Sequence, residues 1–209
     1  MAAPLQVPHV SDALVLLDFF GIAVFAVSGA LLAARKKQTL VTFIFFAVAT
    51  GVGGGTLRDL LIGAPVFWVH NNATLLICIG AALAAWLVSS RRIAGKALDW
   101  FDAAGLAAYA TYGSAKAIAY GVAPVPAFAM GVLTACFGGI VRDVLANEPS
   151  ILMRPELYVT AAALAAGLFV GLTIAGAPLW IAASAGAGAG FVLRALAIAR
   201  GWSLPAYRD

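Results

Sequence analysis

The two halves of this chain carry the same residues in the same order. Asp18, Gly21 and Gly29 recur as Asp102, Gly105 and Gly113. Thr50, Gly54, Gly55, Arg58, Asp59 and Pro65 recur as Thr134, Gly138, Gly139, Arg142, Asp143 and Pro149, and Phe25 is answered by Tyr109. Each pair is separated by 84 positions (102 − 18 = 84; 138 − 54 = 84), so the copies align without a gap. A duplicated apolar unit with an Arg-Asp pair behind a glycine cluster indicates a transport protein, because internal repeats with interrupted helices are how membrane proteins build central binding sites.

The apolar character of the unit is what places it in lipid. Of 209 residues 63% are hydrophobic and 11% charged, against about 25% charged in an average soluble domain. Residues 60–90 and 157–193 contain no Asp, Glu, Lys or Arg, and each stretch exceeds the ~20 apolar residues that span a hydrocarbon core. Strand-like alternation is missing, so the spans are helices, which satisfy their own backbone within lipid. Met1–Asp12 lacks the basic start of a cleaved signal peptide, and the first apolar segment reads as a permanent helix.

The expected fold is an all-α membrane protein with seven transmembrane helices near residues 13–34, 39–62, 72–90, 98–118, 125–147, 156–174 and 178–200. These form a single transmembrane domain over 1–209: repeat one at about 13–90, repeat two at about 98–174, and a seventh helix at about 178–200. Alternate loops place Arg35, Lys36, Lys37, Arg91, Arg92, Lys96, Arg154, Arg200 and Arg208 on one side and only Lys116 on the other. By the positive-inside rule the N-terminus is outside and the C-terminus cytoplasmic. Three helices per copy then make the repeats inverted. Loop topology accounts for the net charge of +4, and no nucleic-acid partner is needed.

The chemistry concentrates in the second and fifth helices. Thr50, Gly54 and Arg58, and likewise Thr134, Gly138 and Arg142, are four apart and share a helical face. Paired glycines, Gly54-Gly55 and Gly138-Gly139, preceded in the first copy by Gly53, weaken the helix and predict a kink or an unwound turn whose carbonyls meet an ion. Isolated Gly21, Gly29, Gly105 and Gly113 read instead as close-packing positions. At ~1.5 Å per residue, Asp18 and Arg58 lie at similar height near the outer face, and symmetry places Asp102 with Arg142 near the inner face. Arg58 is expected to reach another helix or the freed carbonyls rather than Asp59, its neighbour in sequence. Both a structural clamp and a gate fit these charges, with Asp59 and Asp143 beside them. Cys78 and Cys136 are apolar packing residues, and neither His9 nor His70 stands at metal-ligand spacing to them. No motif of a hydrolase or nucleotide-binding enzyme is present, so the chain is read as a non-enzyme.

The segments Gly54-Gly55-Thr56-Leu57-Arg58-Asp59 and Gly138-Gly139-Ile140-Val141-Arg142-Asp143, in an inverted three-plus-three arrangement with a seventh helix, resemble the prokaryotic branch of the TRIC family of trimeric intracellular cation channels. The resemblance covers about Asp12 to Arg200. It implies a homotrimer in a bacterial inner membrane with one ion path inside each protomer, permeable to potassium and some sodium and needing no cofactor. The path is flanked by the helices carrying Gly53 to Arg58 and Gly138 to Arg142. The expected mechanism is passive conduction along Thr50, Thr134 and Ser28, with Tyr109 or Tyr112 nearby, while Arg58, Arg142, Asp18 and Asp102 set the field and latch the closed state. A secondary transporter of a small neutral amino acid such as glycine is the alternative that inverted repeats also permit, and a structural membrane subunit is a third.

Overall fold

Apolar runs that end at Gly, Pro and Asn fold into helices because each buried N–H finds its acceptor along the same segment. The structure, a computed structural model, describes residues 12–88 and 91–205, and side chains over 14–88 and 97–205. Within it run α1 (Asp12–Arg35), α2 (Leu40–Leu61), α3 (Asn72–Val88), α4 (Arg91–Ala119), α5 (Pro124–Leu145), α6 (Val159–Ile174) and α7 (Leu179–Arg200), with a 3-10 turn at Ile151–Met153 before α6. The chain is an all-α membrane protein. Helices α1, α2, α5 and α7 are long and apolar enough to cross a membrane, while α3 and α6 have 17 and 16 residues. Helix α4 starts at Arg91, ahead of the expected 98, because its polar first turns leave the apolar window yet suit a helix. His9 and the side chains of Arg91, Arg92, Lys96 and Arg208 lie outside the described residues.

The repeat governs even the helix stops. Gly63 and Asn147, 84 apart, both adopt left-handed backbone (φ 68° and 51°) just after α2 and α5, and Lys37 and Gly121 do so after α1 and α4 (φ 55° and 79°). This conformation ends a helix by turning the chain away from the next i→i−4 bond.

Contacts between the copies are exchanged in pairs. A Cβ on Gly21 would stand 2.7 Å from the Tyr109 ring, and one on Gly105 would stand 2.8 Å from the Phe25 ring. Gly54 likewise seats on the Thr134 carbonyl and Gly138 on the Thr50 carbonyl. Contacts 21 to 109 and 25 to 105 coexist only if α1 and α4 run antiparallel, and the second set requires the same of α2 and α5. The two three-helix repeats are therefore inverted, related by a twofold axis between α1/α2 and α4/α5. Helix α7 stands outside this symmetry, packed on α4 and α6. At the end where α1 and α5 finish, Glu148 closes the bundle on Lys36 (2.7 Å) and Arg35 (3.3 Å). The Lys36 hydrogen bond holds the Glu148 carboxyl below its ordinary pKa.

Candidate functional site

Each copy builds one clamp where its second helix ends. Arg58 Nε donates to Asp59 Oδ1 at 2.8 Å, Nη2 lies 2.8 Å from the same oxygen, and Asp59 Oδ2 accepts the Phe67 N–H at 3.0 Å. Arg142 and Asp143 repeat this, with Nε and Nη2 each 2.9 Å from Oδ1 and the Ile151 N–H 2.9 Å from Oδ2. Each Asp so ties a guanidinium to the loop eight residues on. The expectation that Arg58 turns away from Asp59 is corrected: both side chains are 0% exposed, and a guanidinium sealed from water takes the carboxylate next to it.

Beyond the clamps the two ends differ. Arg142 Nη1 also bonds Asp102 Oδ1 and, at 2.5 Å, Ser28 Oγ. The expected Arg142–Asp102 contact is thus present. At the other end Arg58 and Asp18 make no direct ion pair. The repeat position of Ser28 is Tyr112, whose ring lies 5.0 Å from the Arg58 guanidinium carbon. The position of Leu32 is Lys116, whose Nζ lies 2.8 and 3.0 Å from the two Asp59 oxygens. A bulky ring and an extra cation thus occupy Arg58 and Asp59, and Asp18 Oδ1 is left buried without a hydrogen bond among the described residues. Asp18 faces a cavity of about 480 Å³ that it lines with Phe67, His70, Tyr112, Lys116 and Tyr120.

Between the ends lies the α2–α5 crossing. Helices α2 and α5 are continuous through Gly53–Gly55 and Gly138–Gly139, which corrects the expected unwound turn. The glycines serve contact instead: a side chain at Gly54 or Gly138 would strike the opposing backbone carbonyl, whereas at Gly53 the nearest atom is the Val141 side chain at 3.6 Å. Gly55 lies under the Phe67 ring (2.6 Å from an added Cβ) and Gly139 under the Tyr158 hydroxyl (2.7 Å). Gly29 and Gly113 make room for Thr50 and Thr134, whose Oγ1 atoms lie 2.5 and 2.7 Å from the added Cβ positions. Thr50, Thr134 and Ser28 are buried in this layer. The Tyr109 hydroxyl bonds the Gly51 carbonyl at 3.1 Å.

Sequence reasoning missed two cations. Lys116 counted only as a loop charge, yet it is a buried partner of Asp59. Arg194, fully buried in α7, pairs with Glu156 at 2.6 Å. An ionisable residue inside an apolar span was the signal for each. Among the described residues no group of three His, Cys, Asp or Glu side chains gathers to hold a metal.

A family model described as Glycine transporter matches residues 15–90 and 99–173, one block for each copy. The crystal structure of the TRIC trimeric intracellular cation channel orthologue from Rhodobacter sphaeroides superposes with a TM-score of 0.87, at 43% identity over 92% of this chain and all of that one. The chain belongs to this family, the TRIC family. A UPF0126 membrane protein of Vibrio cholerae is 46% identical over 151 residues, 71% of this chain and 63% of that protein, so the match leaves over a third of the Vibrio protein uncovered. The UPF0126 inner membrane protein YadS of Escherichia coli is 39% identical over 148 residues, 69% of this chain and 72% of its own length. With channels as its solved TRIC neighbours, the chain is not an enzyme.

Proposed function

We propose that this TRIC protein conducts monovalent cations, chiefly potassium with some sodium, along a path inside each protomer of a homotrimer, without a cofactor. The observation that carries the reading is the α2–α5 crossing: a twofold layer of buried hydroxyls at the centre of one protomer, with a charge cluster at each end. A cation enters the cavity beside Asp18, whose unpartnered carboxylate oxygen offsets Lys116 and Arg58. It then meets the contact in which Gly54 and Gly138 seat on the Thr carbonyls. That contact is the closed state. Sliding α2 against α5 exposes Thr50, Thr134 and Ser28 to the path, and Arg142 must release Asp102 for an ion to leave. A moving Arg couples this step to the membrane potential at ~2.3 kcal/mol per charge per 100 mV.

The second reading is a carrier of a small neutral amino acid, favoured by the description of the matching family model and by the inverted repeat. Vesicles loaded with potassium separate the two. Conduction predicts potassium efflux that a sodium gradient sustains, with no saturable uptake of labelled glycine. Glycine uptake with silent potassium flux would overturn the channel.

The protein sits in the bacterial inner membrane with its N-terminus outside, on the support of the loop charges and of the inner-membrane name of YadS. Single cysteines at Asn71 and Asn147, on opposite ends of the bundle, are expected to label from outside and inside respectively; labelling of Asn71→Cys from the cytoplasm would reverse the orientation.

A further inference from the structure

Helix α7 has no counterpart in the repeat, yet it carries a buried guanidinium. Arg194 is 1% exposed; its Nη2 donates to Glu156 Oε2 at 2.6 Å and its guanidinium carbon lies 5.4 Å from the centre of the Tyr158 ring. The segment bearing Glu156 and Tyr158 is tied to the residues after α7 as well, through a bridge between Glu156 and Ser203 and a 2.7 Å bond from the Leu204 N–H to the Pro155 carbonyl. Tyr158 is thus held in place by α7.

What Tyr158 presents is an unused donor. Its hydroxyl is buried with no hydrogen bond among the described residues, and so is Asp102 Oδ2. The two groups stand over the same bare glycine: a Cβ on Gly139 would be 2.7 Å from the Tyr158 hydroxyl and 3.4 Å from Asp102 Oδ1. Leaving a donor and an acceptor unpaired in a sealed place is costly, and natural structures rarely do so without a use. In the first copy the position equivalent to Tyr158 is Thr74, too short for this reach.

We infer that the Tyr158 hydroxyl is a stand-in donor for Asp102: when Arg142 lets go, Tyr158 takes the carboxylate, and Arg194 on α7 is the positioning residue that keeps its ring there. While Arg142 holds Asp102 Oδ1, the Tyr158 hydroxyl and Asp102 Oδ2 stay without a hydrogen bond among the described residues; release of Arg142 lets them pair, so Tyr158 offsets part of the cost of opening this end. The seventh helix thereby sets how readily Arg142 and Asp102 separate. This rests on the proposed role of that pair as a latch, but its test needs no permeant ion.

Cys136, buried on α5 one turn before Gly139, is the probe. In a Cys78→Ala background, its modification by a positively charged methanethiosulfonate reports how often the Asp102 end opens. Tyr158→Phe keeps the ring and removes only the donor; it is expected to slow modification about tenfold while thermal stability stays level or rises. Arg194→Gln is expected to slow it as well, Arg194→Lys less, and the double variant Tyr158→Phe/Arg194→Gln no further than Tyr158→Phe alone. Unchanged or faster modification in Tyr158→Phe, including the case where neither it nor the parent reacts, overturns the inference. Multiplying effects in the double variant overturn the role of Arg194. If the labelling differences hold and the protein passes no cation current, the conduction reading fails and this one stands.

Discussion

Asp59→Ala is expected to lower the melting temperature more than any other single change in the two clamps. Asp59 receives Arg58, Lys116 and the Phe67 N–H in a site that is 0% exposed, so its loss leaves two buried cations facing each other. Breaking a buried pair by removing one partner costs about 3–5 kcal/mol, and the second cation adds repulsion. Asp143→Ala removes the equivalent side chain but leaves Arg142 bonded to Asp102 and Ser28, so its loss is smaller. Thermal unfolding in detergent of the two variants ranks them. Adding Lys116→Met to Asp59→Ala is expected to restore part of the stability, because it removes the repulsion and leaves an apolar side chain in its place. Equal losses at Asp59 and Asp143, or no recovery with Lys116→Met, would show that the two ends are not electrostatically distinct.

Gly54→Leu is expected to split the α2–α5 contact. The added side chain strikes the Thr134 carbonyl, which belongs to rigid helix backbone and cannot rotate aside. Overpacking of this kind costs about 1–3 kcal/mol for small additions and more for a whole side chain. Gly54→Ala and Gly138→Ala therefore lower stability measurably. Gly53→Ala, where the nearest atom is a Val141 methyl at 3.6 Å, and Gly171→Ala, with nothing within 4 Å, stay within about 0.5 kcal/mol of the parent. Equal melting temperatures across all four alanine variants would dismiss the close-packing account of the paired glycines.

The duplication made the architecture legible before any coordinates. A gapless offset of 84 positions together with the loop charges implies seven helices and inverted copies, and even the left-handed stops at Gly63 and Asn147 keep the offset. The site was legible only as far as the copies are alike. Depth arithmetic gives height along a helix and no information on which way a side chain leans, so Arg142 bonds Asp102 while Arg58, at the expected height of Asp18, turns to Asp59 instead. The difference lies in Ser28 against Tyr112 and Leu32 against Lys116, positions where the repeat has diverged. The unwound turn expected at the paired glycines is absent for a related reason: low helix propensity weakens a helix in water, but in lipid the backbone bonds have no competing partner and the helix stays whole. Close contact, which a single helix does not reveal, is what those glycines serve: Gly54 and Gly138 with the other copy, Gly55 and Gly139 with Phe67 and Tyr158 of their own. Arg194 and Tyr158 had no repeat partner to draw attention to them, and only their burial does so.

Recording from purified protein in a planar bilayer under asymmetric potassium chloride tests conduction through each protomer most directly. One path per protomer predicts unitary currents that reverse toward the potassium equilibrium potential and appear in up to three equal steps per inserted trimer. Silent membranes holding folded protein that takes up glycine in vesicles, or a single indivisible conductance per trimer, would contradict it.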